Sequence, residues 1–237
     1  MDTNIKKYSC PVEVTIEAIG GKWKCLILWW LRRDARRFGE LKLLISNITQ
    51  KVLTQQLREL ETEGLIYRES FPEFPPRVEY ALTPHGKTFT PITEMMCEWG
   101  KKHRVEYQFN YCRLENTKIL VLSPDAATFC ANLEQRHAVA IATTLDDIIN
   151  TINLVKPDAM LIDLTVLNND DTDLFTAQIE QIEPNNRKSI AMIAIVAANN
   201  PGERGRAFKM GFTVHIPKPV ETIEMVSTLA SLINKDV

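Results

Sequence analysis

Near residue 113 the hydrophobic pattern of this chain changes period, and no single core arrangement serves both sides of the change. From Lys118 onward, short apolar runs alternate with helix-period segments. KILVLS precedes a helix over 125–135, AVAIAT one over 146–155, AMLIDL one over 172–182, IAMIAIVA one over 203–210, and TVHI one over 220–233. Five strands, each followed by a helix, predict an α/β domain built on a doubly wound five-stranded parallel sheet; uncharged strands suit a sheet covered on both faces. Before residue 113 the order differs. Helices are expected at Pro11–Ile19 and Lys22–Leu31, split by Gly20-Gly21, then two more helical segments and a pair of alternating strands, which is an α+β pattern. A chain of 237 residues has room for two such domains, and the boundary is placed to give 1–113 and 114–237.

The charge follows the same division. The chain carries a formal net charge of -2, but residues 1–113 hold 18 Lys and Arg against 14 Asp and Glu, while residues 114–237 hold 10 against 16. A basic half suits a polyanion and an acidic half does not. The longest uncharged apolar run, 190–198, is far shorter than the ~20 residues needed to cross a bilayer. No membrane association and no secretory signal are expected, and the cytoplasm is the expected location. The five cysteines are scattered and lack metal-site spacing, so neither a disulfide framework nor structural zinc is expected. No nucleophile-base pair or nucleotide-binding glycine loop suggests enzyme activity, and no cofactor is called for.

Residues 36–83 carry the clearest functional signal. A short helix over 38–45 is followed by a polar turn, and Thr49 stands where an N-cap belongs, with Ile48 and Leu53 spaced as a hydrophobic staple. In the next helix Leu53, Leu57 and Leu60 fall on one face. That turns Gln50, Lys51, Thr54, Gln55 and Arg58 outward, residue types that pair with base edges or phosphates. Alternating strands over 65–71 and 77–82 follow, joined by a proline-rich tip with Arg68 and Arg77 on its flanks. A polar rod beside a basic hairpin is the form of a winged helix-turn-helix, with the arginines expected on phosphates. Trp23, Trp29 and Trp30 sit in a helix apolar nearly all round and are expected to pack.

Cys10-Pro11-Val12, Gly21-Lys22-Trp23, RRFGEL, LTQQLRELETEGL, PPRVEYALT and Trp99-Gly100 together resemble the HxlR-type winged-helix transcriptional regulators, over about residues 10–103. The resemblance implies a homodimer reading a two-fold symmetric operator in double-stranded DNA. The first helix and a long helix over 84–107 would form the dimer, with Phe89, Ile92, Met95, Met96 and Trp99 on the long helix's apolar face. Some members sense oxidants at this position, which makes Cys10 a candidate redox site; Lys6, Lys7 and a helix starting near Pro11 would favour a reactive thiolate. The alternative is a small buried hydrophobe. Cys25, in an apolar helix, is expected to be inert.

The second half resembles the receiver domains of two-component response regulators. KILVLSPD matches the first strand and its acidic pocket, PDAMLIDL puts Asp163 at the phosphoacceptor position, and PKP puts Lys218 at the pocket lysine, before a cis proline. It departs from that pattern where chemistry is concerned. The paired acids that hold Mg²⁺ align with Ser123 and Pro124, and the hydroxyl residue ending the fourth strand aligns with Val196, followed by Ala197. One carboxylate is a poor Mg²⁺ site, and phosphoryl transfer depends on that charge neutralisation. Asp125 is expected to cap a helix, 168–171 to form a solvated turn, and Lys218 to pair with Asp163 without a metal. The expectation is therefore a pseudo-receiver serving a protein partner, a second dimer contact or a small molecule. The rival expectations are a phosphorylation-switched regulator using Asp163 and an adaptor that no longer binds DNA.

Overall fold

A computed structural model describes residues 7–74, 76–103, 114–180, 182 and 190–233. The chain divides into two compact units, Met1–Val105 and Glu106–Val237. The boundary expected at 113 falls outside the described residues.

The first unit contains helices α1 (Pro11–Ile19), α2 (Lys22–Leu31), α3 (Phe38–Leu44), α4 (Gln50–Thr62), α5 (Pro84–Lys87) and α6 (Thr90–His103). Its three strands are β1 (Arg36–Arg37), β2 (Ile66–Phe71) and β3 (Arg77–Leu82), in sheet order β1-β3-β2. β2 and β3 form an antiparallel hairpin running from Ile66 opposite Leu82 to Phe71 opposite Arg77. β1 has too few residues to show a period, and it joins the hairpin through Arg36 opposite Tyr80.

Both ends of α4 are set by local chemistry. Thr49 accepts a hydrogen bond from the Val52 N–H at 3.2 Å, a cap of the kind that contributes about 1 kcal/mol. At the other end Gly64 takes φ +67°, and the N–H groups of Gly64 and Leu65 return to the carbonyls of Glu61 and Leu60, both at 3.0 Å. That paired closure needs a left-handed residue, which glycine supplies at little cost. Leu60 and Leu65 are both buried there, so the chain leaves α4 directly into β2. The face Leu53, Leu57 and Leu60 packs into a core with Ile27, Leu28, Leu41, Ile45 and Ile48. Trp30 is buried; Trp23 and Trp29 are half-buried under the cations of Lys22 and Arg32, 4.5 and 3.7 Å from the ring centroids.

The second unit alternates strand and helix: β4 (Lys118–Leu122), α7 (Ala126–Glu134), β5 (Val139–Ala142), α8 (Ile148–Val155), β6 (Ala159–Asp163), α9 (Asn169–Glu180), β7 (Ala191–Val196), α10 (Pro201–Lys209), β8 (Val214–Pro217) and α11 (Thr222–Ile233). All neighbouring strands are parallel, in the order β5-β4-β6-β7-β8. The apolar runs become the buried strands: every residue of β6 and β8 is buried, β4 exposes only its first residue, Lys118, and edge strand β5 exposes both ends. The order reverses direction between β4 and β6, which opens a crevice at the carboxyl ends of those two strands. The segment 168–171 is a helix start rather than a turn. Asp171 N–H donates to Asn168 Oδ1 at 2.9 Å while Asn168 N–H donates to Asp171 Oδ2 at 3.1 Å, a reciprocal pair that begins α9.

Candidate nucleic-acid interface and the carboxylate pocket of the second unit

Because the leucine row of α4 is buried, its opposite face must carry the polar residues. Gln50, Lys51, Gln55 and Arg58 are exposed and Thr54 is half-buried; the five line one open depression on the surface. Thr49 is exposed at the head of the same helix. Thr54 Oγ1 donates to the Gln50 carbonyl at 2.9 Å, so its methyl is the group left facing out.

Glu59 lies beside this face and is held by several partners. Glu59 is bound by Lys24 of α2 at 3.1 Å and accepts from Gln55 at 3.0 Å and Gln56 at 3.2 Å. The Lys24 ammonium, then the Gln55 amide, hold its carboxyl below the usual carboxylate range. Lys24 therefore offsets the charge of Glu59 at the edge of the polar face. The sequence reading missed this pairing, because nothing in local spacing connects residue 24 to residue 59.

The hairpin separates the two arginines expected on phosphates. Arg68 is exposed on β2. Arg77 is not available: it is only 2% exposed, donates to Glu73 at 2.8 Å and to Glu79, and stacks 3.8 Å over the Phe71 ring. Burial by itself would depress the pKa of this guanidinium, and the carboxylates of Glu73 and Glu79 more than offset that, leaving it raised. The expected phosphate clamp at Arg77 is thus corrected to a structural ion-pair centre. Its sequence position could not reveal this, because the neutralising acids lie two and four residues away on a hairpin whose inward face is polar.

A family model described as HxlR-like helix-turn-helix matches residues 18–108. The uncharacterized HTH-type transcriptional regulator YtcD of Bacillus subtilis (strain 168) is 53% identical over 98 residues, which span 41% of this chain and 78% of that protein. An uncharacterized HTH-type transcriptional regulator of Methanothermobacter thermautotrophicus is 52% identical over 102 residues, spanning 43% of this chain and 78% of its own length. Among solved structures, the redox regulator HypR in its oxidized form is 46% identical, with a TM-score of 0.39 over 40% of this chain and 98% of that one. The chain belongs to the HxlR-like helix-turn-helix family. Residues 109–237 lie outside the matched segment.

Two further features of the HxlR-like unit bear on its surfaces. On α6, Met95, Met96, Trp99 and Ile92 are exposed, as are Val12, Val14 and Ile16 on α1. Phe89, expected on the same apolar face, is buried instead, because it lies in the short link between α5 and α6. The end of the expected long helix, 104–107, lies outside the described residues. Cys10 is exposed at the N-cap of α1. Cys25 donates to the Ile19 carbonyl at 3.3 Å, and burial pushes its thiol pKa up, as it does for Cys130. Brief alkylation at neutral pH followed by peptide mapping should find Cys10 labelled about tenfold or more ahead of Cys25 and Cys130, since the thiolate is the reacting form. Equal labelling would contradict these placements.

In the second unit Asp163 ends β6 with its side chain fully buried. Its Oδ2 meets Lys218 Nζ at 2.8 Å and Ser123 Oγ at 3.2 Å; its Oδ1 accepts from Thr165 Oγ1 at 2.7 Å and Thr165 N–H at 3.1 Å. Lys218 also donates to Thr165 Oγ1 at 2.6 Å, and the Lys218–Pro219 bond is cis. Both carboxylate oxygens are thus satisfied by groups of the chain itself. Thr165 was not singled out from the sequence, although a hydroxyl two residues beyond a strand-end acid is a visible signal. Asp125 does stand at the N-cap of α7, but its side chain makes no capping bond; its N–H donates to Ser123 Oγ at 3.2 Å. Mg²⁺, which a receiver would require, does not fit this donor set: one carboxylate is already engaged by an ammonium, and serine and proline stand where acids are needed. Among the described residues no group of three or more His, Cys, Asp or Glu could hold a metal ion.

Proposed function

We propose that the chain is a sequence-specific, DNA-binding regulator of transcription that works as a homodimer. The observation that carries this reading is the outward face of α4, where Gln50, Lys51, Thr54, Gln55 and Arg58 form one depression above a buried leucine row. A helix presented in this way fits the major groove, and exposed Arg68 lies on the hairpin that would follow the backbone. Dimerisation is supported by the exposed apolar residues of α1 and α6 and by family membership. Two recognition helices related by a two-fold axis would read half-sites about 34 Å apart. The test is selection of bound duplexes from a random pool by the full chain, with sedimentation of the free protein. A symmetric preferred site and a dimer are expected; no preference over random duplex, or a monomer at working concentration, would defeat the reading.

For the second unit we infer a receiver-like domain that is not phosphorylated and serves interaction or signal sensing. A partner or small molecule would act by binding two arrangements of the dimer unequally. The support is the strand order together with a pocket in which Lys218 and Thr165 already saturate Asp163. Acetyl phosphate with Mg²⁺ should leave the protein's mass unchanged. A phosphate adduct on the wild type that is absent from Asp163→Ala would establish a phosphorylation switch instead. The exposed Cys10 thiol favours a second reading of the input, redox sensing, in which oxidant titration would change operator affinity in the wild type and not in Cys10→Ser.

A further inference from the structure

Gln55 lies midway along α4, exposed and lining the polar depression. Its amide is oriented by a neighbour. Nε2 is 3.0 Å from Glu59 Oε1, and an ionised carboxylate only accepts, so the nitrogen and not the oxygen of the amide must face it. Glu59 is itself anchored from outside its helix: its Oε2 meets Lys24 Nζ of α2 at 3.1 Å, and the Lys24 side chain is 11% exposed. Gln56 adds a second amide donor to Oε2 at 3.2 Å. Gln55 therefore keeps its carbonyl oxygen and one N–H for anything that approaches.

An acceptor and a donor side by side complement one base edge in the major groove. Adenine offers the N6 donor beside the N7 acceptor, whereas guanine offers two acceptors and the pyrimidines lack that pair. We propose that Lys24 and Glu59 are positioning residues that fix the Gln55 amide to read adenine at one position of each half-site. The proposal rests on the DNA-reading function above and adds to it the identity of a base and the source of its discrimination. Orientation is supplied before binding, so the amide does not lose its rotational freedom at the moment of contact.

The test uses the full chain and compares base preference at each position of the selected site. Glu59→Ala should reduce the adenine preference at one half-site position by about tenfold, within the range expected for a bidentate contact. Affinity for random duplex should not fall, because the substitution removes an acid and releases Lys24, whereas a merely structural role would weaken all sequences together. Glu59→Gln keeps the side-chain shape but no longer dictates which amide atom faces it, and should relax the same position by about threefold. In a Gln55→Ala background, Glu59→Ala should cause no further loss of preference. Retained adenine preference in both Glu59 variants, a preferred base other than adenine at the Gln55 position, or a loss that persists without Gln55 would overturn the proposal. A wild-type protein that selects no sequence would remove the parent function and this proposal together, whereas a selective wild type with unaffected Glu59 variants removes the proposal alone.

Discussion

Arg77→Ala is expected to destabilise the first unit by about 3–5 kcal/mol, the cost of removing one partner from a buried ion pair. Glu79 is only 3% exposed, and the substitution would remove the guanidinium that pairs with its buried carboxylate. Glu73 would lose its bond to Arg77, and Phe71 the plane stacked over it. Urea unfolding followed by tryptophan emission reads this directly, because Trp23, Trp29, Trp30 and Trp99 all belong to the first unit. Protein concentration must be held constant, since dimerisation would add concentration-dependent stability. Removing both charges in Arg77→Met/Glu79→Gln should recover part of the loss, as the carboxylate that paired with Arg77 is removed together with it. An Arg77→Ala protein of full stability whose DNA binding had lost salt dependence would restore the phosphate-clamp reading.

Arg58→Ala should weaken binding to the selected site by about 5- to 150-fold, the loss of one bidentate base contact worth ~1–3 kcal/mol. Its side chain is exposed on the outward face of α4, so stability should hardly change and the effect should appear as lost specificity. Arg68→Ala should behave differently. A phosphate contact carries no base information, so affinity should fall for all duplexes alike and the slope of log affinity against log salt should decrease by about 1. Fluorescence anisotropy over a salt series, with the selected and a scrambled duplex, separates the two. If both variants bound the selected site like the wild type, the outward face of α4 would not be the recognition surface.

Much of the architecture could be read from local patterns. The strands and helices after Lys118 followed from uncharged runs and turn residues, because a sheet covered on both faces demands apolar residues at consecutive positions. The outward set on α4 followed from the spacing of Leu53, Leu57 and Leu60, since helical geometry alone places residues on faces. Thr49 capped where its side-chain oxygen could reach the first turn. β1 escaped notice because Arg36 and Arg37 are polar and too short to show a period, and Arg36 is nevertheless fully buried beside Glu40. Phe89 was grouped with the apolar face of one long helix over 84–107, but a break divides α5 from α6 and leaves it in the link between them.

Pattern and composition, then, were enough for two units, their layers and the polar helix face left in solvent, since those depend on period, turn chemistry and charge within short windows. The fate of each charge was settled by contacts between residues distant in sequence or folded across a hairpin. Arg68 stays in solvent while Arg77 is enclosed by acids; Lys24 reaches Glu59 from another helix; Lys218 and Thr165 close around Asp163. A side chain's type states which bonds it is able to form, but burial and the distance to a partner decide which of them it makes, and both of those arise only when the chain is packed.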